Sequence, residues 1–440
     1  MADLDRAELL VAAGVVLLVG TLFVSGLLAP SIGVDDGREA RTLIGIQGGG
    51  PGWHEHGRVV HLVGSNETWG DDSADSYFDV TERPDGTVLV GFMHGGYEDC
   101  GPYQAPCVRT GFRIIDPEPS PSVTFEYSFP VRTRKNSEVH AAQQLPSGEF
   151  LLADMDQERV FTVNRDGTVT WEWQASEFYD EPPDPRRTDW LHINDVDVIG
   201  EGRYLVSVRN ANQLLVLERG NGVVEVINAD ESAANDESCR LENRGQSARQ
   251  LADYDEDGEI RCGDPDVLNH QHNPQWLGDG AVLVADSDND RIVELHRTDA
   301  GNWEVAWTVE RAGGVALQWP RDADRLANGH TLVTDTLNRR IVEIDPQGEV
   351  VWSTRTDLIP YEADRLPAGE LVGAPRADAS PGDPATPRNG VPILSELLVL
   401  FRALFPGLPF WFRELQLGLS LLGVGLVGLG AIDRYRSGPG

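Results

Sequence analysis

The sequence predicts an all-β fold: a six-bladed β-propeller with four-stranded blades, flanked by N- and C-terminal transmembrane helices. Three observations carry that expectation. A glycine turn recurs in similar wording along the 440-residue chain, an acid and an arginine recur five residues apart shortly after it, and one long apolar stretch lies near each end.

The repeat is read by aligning one glycine per unit. The units run from Phe78 to Gly86, His140 to Gly148, Asn194 to Gly202, His272 to Gly280 and Arg321 to Gly329, each followed by an apolar run such as Thr331-Leu332-Val333. Strand, tight turn and second strand make a hairpin. The acid–arginine pairs Asp154/Arg159, Asp286/Arg291 and Asp335/Arg340 then lead into a third strand, and Gly167 to Trp171 or Gly348 to Trp352 into a fourth. Four strands per unit is a propeller blade.

The sixth blade is split across the ends of the domain. Tyr361 to Gly369 repeats the first strand, while Thr42-Leu43-Ile44 matches Thr331-Leu332-Val333 and Gly57 to His61 matches Gly348 to Trp352. Such a closure removes open sheet edges. The propeller is therefore expected over residues 42–371, with Gly48 to His56 too glycine-rich for a good third strand. Seven blades remain an alternative, because 78 residues separate Gly202 from Gly280; the polar stretch 230–266 reads instead as an insertion. Within it, Asp253, Asp255, Asp257, Gly258 and Asp264 occupy positions 1, 3, 5, 6 and 12 of a calcium loop. Arg261 at position 9 and aspartate at position 12 depart from that rule. A structural Ca2+ there would brace the loop together with a Cys239–Cys262 bridge.

After a short tail, 1–8, residues 9–29 give an uncharged run long enough to cross about 30 Å of hydrocarbon. A cleaved signal peptide is the rival reading, against which stand an acidic leader and no small-x-small site. Residues 372–392 read as a linker, 393–412 as an interfacial segment with Arg402 and Trp411, 415–432 as a second membrane helix and 433–440 as a tail. Cys100 and Cys107, like Cys239 and Cys262, are placed for local bridges, which favours a cell-membrane protein with its propeller outside the cell. A net charge of -35 excludes nucleic acid as a partner. Lys135 is the only lysine, and acids spread through the chain resemble a halophile's surface, where salt screens self-repulsion.

Eight residues before each aligned glycine stand Phe78, His140, Asn194, His272, Arg321 and Tyr361. The first strand of a blade is the innermost, so these residues are expected to ring the central channel. His192 lies two residues before Asn194, on the same face if the strand extends that far. The ring is thus the place where the chain's acidity is reversed, the remaining acids falling in blade turns and outer strands.

At these residues the sequence resembles the arylsulfotransferases of the aryl-sulfate, PAPS-independent type, six-bladed propellers with a histidine-rich central site. The likeness rests on Asp189 to Asn194 with Ser207-Val208-Arg209, on His270-Gln271-His272 followed by Asp286 to Glu294, and on Asn328 to Leu332 with Gly348 to Trp352. Together with the acidic composition it implies a halophilic archaeal-type, membrane-anchored member. It implies that a channel histidine takes a sulfuryl group from a phenolic sulfate ester and hands it to a phenolic acceptor, with no cofactor required. His192 and His272 match family site positions, and Arg291 matches the family's arginine. The chain departs where the nucleophilic histidine is expected, carrying Trp319-Pro320-Arg321-Asp322, and His330 lies beyond the turn. His140 is the replacement nucleophile to test first; Arg321 supplies anion binding, with Asp322 or Asp324 to orient it. Asn194, Tyr361, Phe78 and Arg209 are expected to line the substrate site.

A different class competes: a non-catalytic, membrane-anchored propeller that binds a ligand or a metal ion. Three histidines on neighbouring strands suit zinc or copper, and His54-Glu55-His56 has the spacing that a strand places on one face.

Overall fold

A computed structural model describes residues 5–29, 33–34, 39–50, 53–230, 232–241, 251–256, 258–377, 394, 397–398, 400–402, 405 and 408–436. The chain divides into two compact units, Ile32–Ala385 and the paired termini Met1–Ser31 with Thr386–Gly440.

The larger unit is a six-bladed propeller of four-stranded antiparallel sheets. From the innermost strand outward, blade 1 holds Ile359–Leu366, Arg41–Gly48, Arg58–Val63 and Asn66–Asp71. Blade 2 holds Ser76–Glu82, Val88–Tyr97, Cys107–Asp116 and Ser122–Val131, and blade 3 Ala142–Gln144, Phe150–Asp154, Arg159–Val163 and Val169–Gln174. Blade 4 holds Ile193–Gly200, Arg203–Val208, Gln213–Glu218 and Gly222–Ile227, and blade 5 His272–Trp276, Ala281–Asp286, Arg291–Arg297 and Trp303–Val309. Blade 6 holds Asp322–Arg325, Thr331–Asp335, Arg340–Ile344 and Val350–Arg355.

Five of the aligned glycines end a first hairpin turn and Gly369 follows the first strand of the split blade, all at positive φ, from 57° at Gly369 to 88° at Gly148, where a side chain would be strained. The recurring acid and arginine face one another in register across strands two and three. Their ion pairs, Asp154–Arg159 at 2.8 Å, Asp286–Arg291 at 2.6 Å and Asp335–Arg340 at 2.7 Å, close the turn. Blades then pack through apolar faces, as where Leu214 and Val216 of blade 4 meet Trp276 and Val284 of blade 5. Each such side chain contributes about 1.5–3 kcal/mol by burial.

The closure of blade 1 differs from expectation in one respect. Arg58–Val63 is its third strand, and Asn66–Asp71 is the fourth. The glycine-rich segment before it joins strands two and three, so the likeness of Gly57 to His61 to a fourth strand is one of wording, not of position. Among the described residues of the insertion there is a short helix, Asp236–Leu241, and no further blade. Cys239 and Cys262 are bridged there, as are Cys100 and Cys107 in blade 2. A two-strand hairpin, Arg311–Ala312 with Val315–Ala316, is an addition that the repeat did not announce. The start of the expected linker is tied down: Gly373 N–H donates to Trp276 O, and Ala377 N–H to Glu294. Residues 378–393 lie outside the described residues.

In the smaller unit, helices Arg6–Leu28 and Glu414–Arg436 are each long and apolar enough to cross a membrane. The first begins three residues before the expected span because Asp5 and Glu8 form a reciprocal capping box. The two helices approach closely at Gly14, where an added Cβ would lie 2.5 Å from Gly423 O. The expected interfacial segment is described only in part; in it, Arg402 is buried and donates to Phe410 O and Phe412 O.

Candidate functional site

Five of the six ring residues meet around the propeller axis. The Phe78 and His140 ring centroids are 4.6 Å apart, His140 and Tyr361 are 4.6 Å apart, and Tyr361 and His272 are 6.3 Å apart. The Arg321 guanidinium lies 5.1 Å from the Tyr361 ring and 4.5 Å from that of Trp319. These side chains come from blades 1, 2, 3, 5 and 6, which meet only at the axis. Blade 4 contributes differently. Its ring residue Asn194 is fully buried and donates to Gln271 O, and His192 reaches the cluster instead, 6.1 Å from His140.

His192 precedes its strand, contrary to the expectation that it shares a strand face with Asn194. Its backbone is left-handed, with φ 55°. The equivalent residues of the next two blades, His270 and Trp319, share this conformation at 58° and 50°. Left-handed backbone at a residue other than glycine costs on the order of 1–3 kcal/mol and persists only where its surroundings enforce it. Here the preceding blade does so. Glu158 accepts the N–H of His192 at 2.8 Å, Asn212 that of His270 at 3.1 Å, and Asp290 that of Trp319 at 2.6 Å. The three clamps are themselves left-handed residues at one repeat position, immediately before the third strand.

Second partners fix which imidazole nitrogen is free to react. His192 Nδ1 lies 2.9 Å from both Asp189 carboxyl oxygens, which accept when Asp189 is ionised beside Arg209, so in that state Nδ1 carries the proton and Nε2 the lone pair. His272 Nδ1 lies 3.0 Å from His270 O and 2.8 Å from Ser287 Oγ, with the same result. His140 Nδ1 is 2.9 Å from Tyr361 Oη, while its Nε2 is buried without a partner.

Burial keeps all three imidazoles neutral. Desolvation, reinforced by the Arg321 and Arg209 guanidiniums, holds His140, His192 and His272 well below the usual histidine range. Burial raises Tyr361 well above its usual range, so its phenol stays protonated. Burial also lowers Arg321, to about 10, and pushes Asp189 up to about 7 against the opposing Arg209 charge. For Glu138 the hydrogen bond and charge of His54, 2.8 Å away, outweigh burial and hold the carboxyl well below the usual carboxylate range.

Three expected roles are not supported by position. The Arg291 guanidinium is held by Asp286, Asp266 O and Val267 O, as its repeat equivalents Arg159 and Arg340 are held in their own turns, and it stands apart from the histidines. Asp322 accepts from Ala363 N and Thr334 Oγ1, leaving Arg321 to be oriented by Gln47. His54 and His56 do not share a strand face: His54 is buried between Ser76 and Glu138, while His56 is exposed in a left-handed turn. Arg209 does belong, 3.8 Å from Asp189. Glu138, Glu158 and Asp290 were not singled out from sequence, since their positions carry no chemistry until neighbouring blades are placed; nor was Trp53, whose ring lies 5.5 Å from the Arg321 guanidinium and which belongs to the segment joining strands two and three of blade 1.

Among the described residues, one set of three acid, histidine or cysteine side chains is close enough to share an ion: Asp180, Asp253 and Asp255, with ligand atoms within 4.8 Å of one another. Asp264 is not in that set, its Oδ1 accepting from Asp266 N, and Asp257 lies outside the described residues.

Residues 180–357 match the family model described as Arylsulfotransferase (ASST). That segment carries His192, Arg209, His272 and Arg321, but not His140 or Tyr361. No curated protein matches the chain. Among solved structures, it is similar to a protein of unknown function from Bacteroides caccae, with 15% identity, a TM-score of 0.48, and coverage of 74% of this chain and 98% of that one. It is also similar to a putative 6-phosphogluconolactonase from Bacteroides fragilis, with 8% identity, a TM-score of 0.41 and coverage of 75% and 99%. A selenomethionine-substituted virginiamycin B lyase from Staphylococcus aureus gives 10% identity, a TM-score of 0.35 and coverage of 62% and 68%.

Proposed function

We propose that the protein is an arylsulfotransferase that moves a sulfuryl group from a phenolic sulfate ester to a phenolic acceptor at the histidine cluster on the propeller axis. The observation that carries this reading is a pair of neutral imidazoles with fixed Nε2 lone pairs, each with a guanidinium nearby: His272 with Arg321, and His192 with Arg209. The match to the arylsulfotransferase family over residues 180–357 supports the same reaction class.

In this reading Arg321 binds the sulfate oxygens, and the aromatic faces of Trp319 and Tyr361 pack the phenyl ring. His272 Nε2 attacks sulfur; the sulfur–oxygen bond to the phenol breaks, and the N-sulfo intermediate divides one displacement into two. An anionic ester beside His192 raises that imidazole's proton affinity. His192 Nε2, with Asp189 behind it, takes up a proton from solvent as the ester binds, gives it to the departing phenolate and recovers one from the acceptor phenol, whose oxygen displaces His272 from sulfur; that proton returns to solvent as the product ester leaves. With the Tyr361 hydroxyl donating to His140 Nδ1, His140 Nε2 carries the imidazole proton and is placed to donate to a sulfate oxygen. The balance closes without a cofactor.

The two terminal helices would anchor this domain to a membrane, and two disulfides favour an extracellular propeller. The acid excess suits a high-salt medium. The experiment is transfer from a chromogenic phenyl sulfate to a second phenol, with formation of free chromophore and of the new ester both followed. Absence of both in the folded protein, with His272→Ala and His192→Ala leaving the affinity for the ester unchanged, would sink the reading.

A further inference from the structure

The buried arginines of the propeller are of two kinds. Arg113, Arg291, Arg325 and Arg340 each pair with a carboxylate, of Glu126, Asp286, Glu294 and Asp335, at 2.6 to 3.0 Å. Arg321 is 5% exposed and has no carboxylate partner among the described residues. One Nη donates to the neutral Gln47 side chain, and Nε has no acceptor among the described residues. The rings of Trp53, Trp319 and Tyr361 stand 5.5, 4.5 and 5.1 Å from its guanidinium carbon. Ring quadrupoles attract a cation but carry no net charge. A charge taken out of water is costly unless an opposite charge matches it.

The neighbouring ionisable groups do not supply that match. Asp322, Glu362 and Asp79 lie on the innermost strands, contrary to the expectation that the acids keep to turns and outer strands. They accept backbone N–H groups of the next blade, from Ala363 at 3.0 Å, Val80 at 3.2 Å and Ala142 at 2.7 Å. Glu138 lies 2.8 Å from His54, and Arg209, the second guanidinium of the site, lies 3.8 Å from Asp189. The imidazoles of His140, His192 and His272 are neutral, and the Tyr361 phenol is protonated. What the protein leaves for a ligand to match is one positive charge, that of Arg321.

We propose that the site selects its ligand by charge, taking sulfate monoesters as single anions and rejecting phosphate monoesters as dianions. This rests on the sulfate-ester reading of the same site. The two esters share a tetrahedral head and oxygen acceptors, so shape does little to separate them. A sulfate monoester keeps one negative charge across the neutral range, whereas a phosphate monoester loses its second proton at a pKa of about 6. The second charge would enter a site out of water with nothing to match it. The proton that His192 takes up attends either ligand, so the difference of one charge remains. A phosphate ester therefore binds by recovering its own proton, at a loss of about tenfold in affinity for each pH unit well above that pKa.

The test is calorimetric titration of the full chain in detergent with phenyl sulfate and with phenyl phosphate at pH 6, 7 and 8. It is run on wild type and on His272→Ala, which lacks the attacking imidazole and so holds the sulfate ester unreacted. Both ligands meet the same titrating groups, so the ratio of their affinities isolates the phosphate's second proton. Preference for phenyl sulfate is expected at each pH, growing about tenfold from pH 7 to pH 8. Arg321→Met is expected to weaken phenyl sulfate at least tenfold; should it fail to fold, the pH course of the ratio decides alone. A ratio that does not change with pH, or phenyl sulfate bound by folded Arg321→Met as by wild type, overturns the proposal. Transfer absent with the expected ratio would remove the transferase and leave the charge selection standing, and transfer present with a flat ratio would do the reverse.

Discussion

Glu158 Oε1 accepts the backbone N–H of His192 at 2.8 Å and that of Leu191 at 2.9 Å, while its Oε2 accepts that of Ile193 at 3.0 Å. One buried side chain of blade 3 thus fixes the backbone that aims a site histidine of blade 4. Burial and the Asp189 charge push Glu158 up to about 8, so the three N–H donors are working against desolvation.

Glu158→Gln tests this directly. An amide presents an NH2 group to a backbone donor, losing at least one bond and leaving a buried N–H unsatisfied. The expected cost is about 1–3 kcal/mol in stability, read by chemical denaturation. Transferase turnover should fall further than stability predicts, with the affinity for sulfate ester retained, since His192 and not Arg321 is displaced. An equal loss of activity and affinity would argue against a positioning role.

The histidines should separate by role. His272→Ala and His192→Ala are each expected to lower turnover about 10²-fold or more. Rapid quenching and mass analysis should find a sulfuryl adduct on His192→Ala and none on His272→Ala. An adduct surviving in His272→Ala moves the nucleophile to His140 or His192.

Arg321 and Arg291 make opposite predictions although sequence reasoning placed both in the site. Arg321→Lys loses the planar fork held over Trp319 and Tyr361, and is expected to raise KM for the sulfate ester about 10- to 100-fold, a loss of about 1.5–3 kcal/mol. Arg291→Met leaves Asp286 buried without its counter-ion, and is expected to cost about 3–5 kcal/mol of stability with KM little changed. Burial alone already pushes Asp286 up to about 6, against Arg291 and its other partners. A KM effect in Arg291→Met would return that residue to the site.

The contrast between these arginines marks what was legible in the sequence. Blade number, the split blade and the ring positions followed from a repeat, and a repeat fixes which residues are equivalent. It does not fix which equivalents are spent on each other. Arg291 was readable as one of three acid–arginine pairs, but only in-register pairing of strands two and three makes those pairs turn closures. Asn194 and His192 traded roles because a left-handed residue before the strand re-aims its side chain, and nothing in the local sequence specifies φ. The inner-strand carboxyls were hidden for a related reason. Glu362, Asp79 and Asp322 each accept a backbone N–H of the next blade, from Val80, Ala142 and Ala363, while the equivalent donor position facing Asp195 is Pro274, so what each acid does depends on its neighbour.

The buried carboxyls of the innermost strands give the last prediction, in pH. Burial pushes Asp79 up to about 6, and Asp197 and Asp322 up to about 7, and it raises Asp195, Asp324, Glu362 and Asp364 well above their usual range. A carboxyl raised in the folded state holds its proton where the unfolded chain has released it. Its stabilising contribution is therefore present below about pH 4 and is lost as pH rises through the folded value. The buried histidines have the opposite sign. Their folded values are depressed, so they destabilise as pH falls below about 6.5 and contribute no slope above it. Between pH 6.5 and pH 8 the carboxyls act unopposed, and the protein should lose stability at about 1.4 kcal/mol per pH unit for each proton retained on folding. Asp195→Asn/Asp324→Asn should flatten that slope, since the amides do not titrate and relieve their neighbours. Denaturant unfolding at three pH values across the window measures it, and a wild-type slope of zero or of opposite sign would mean that these carboxyls are not buried as described.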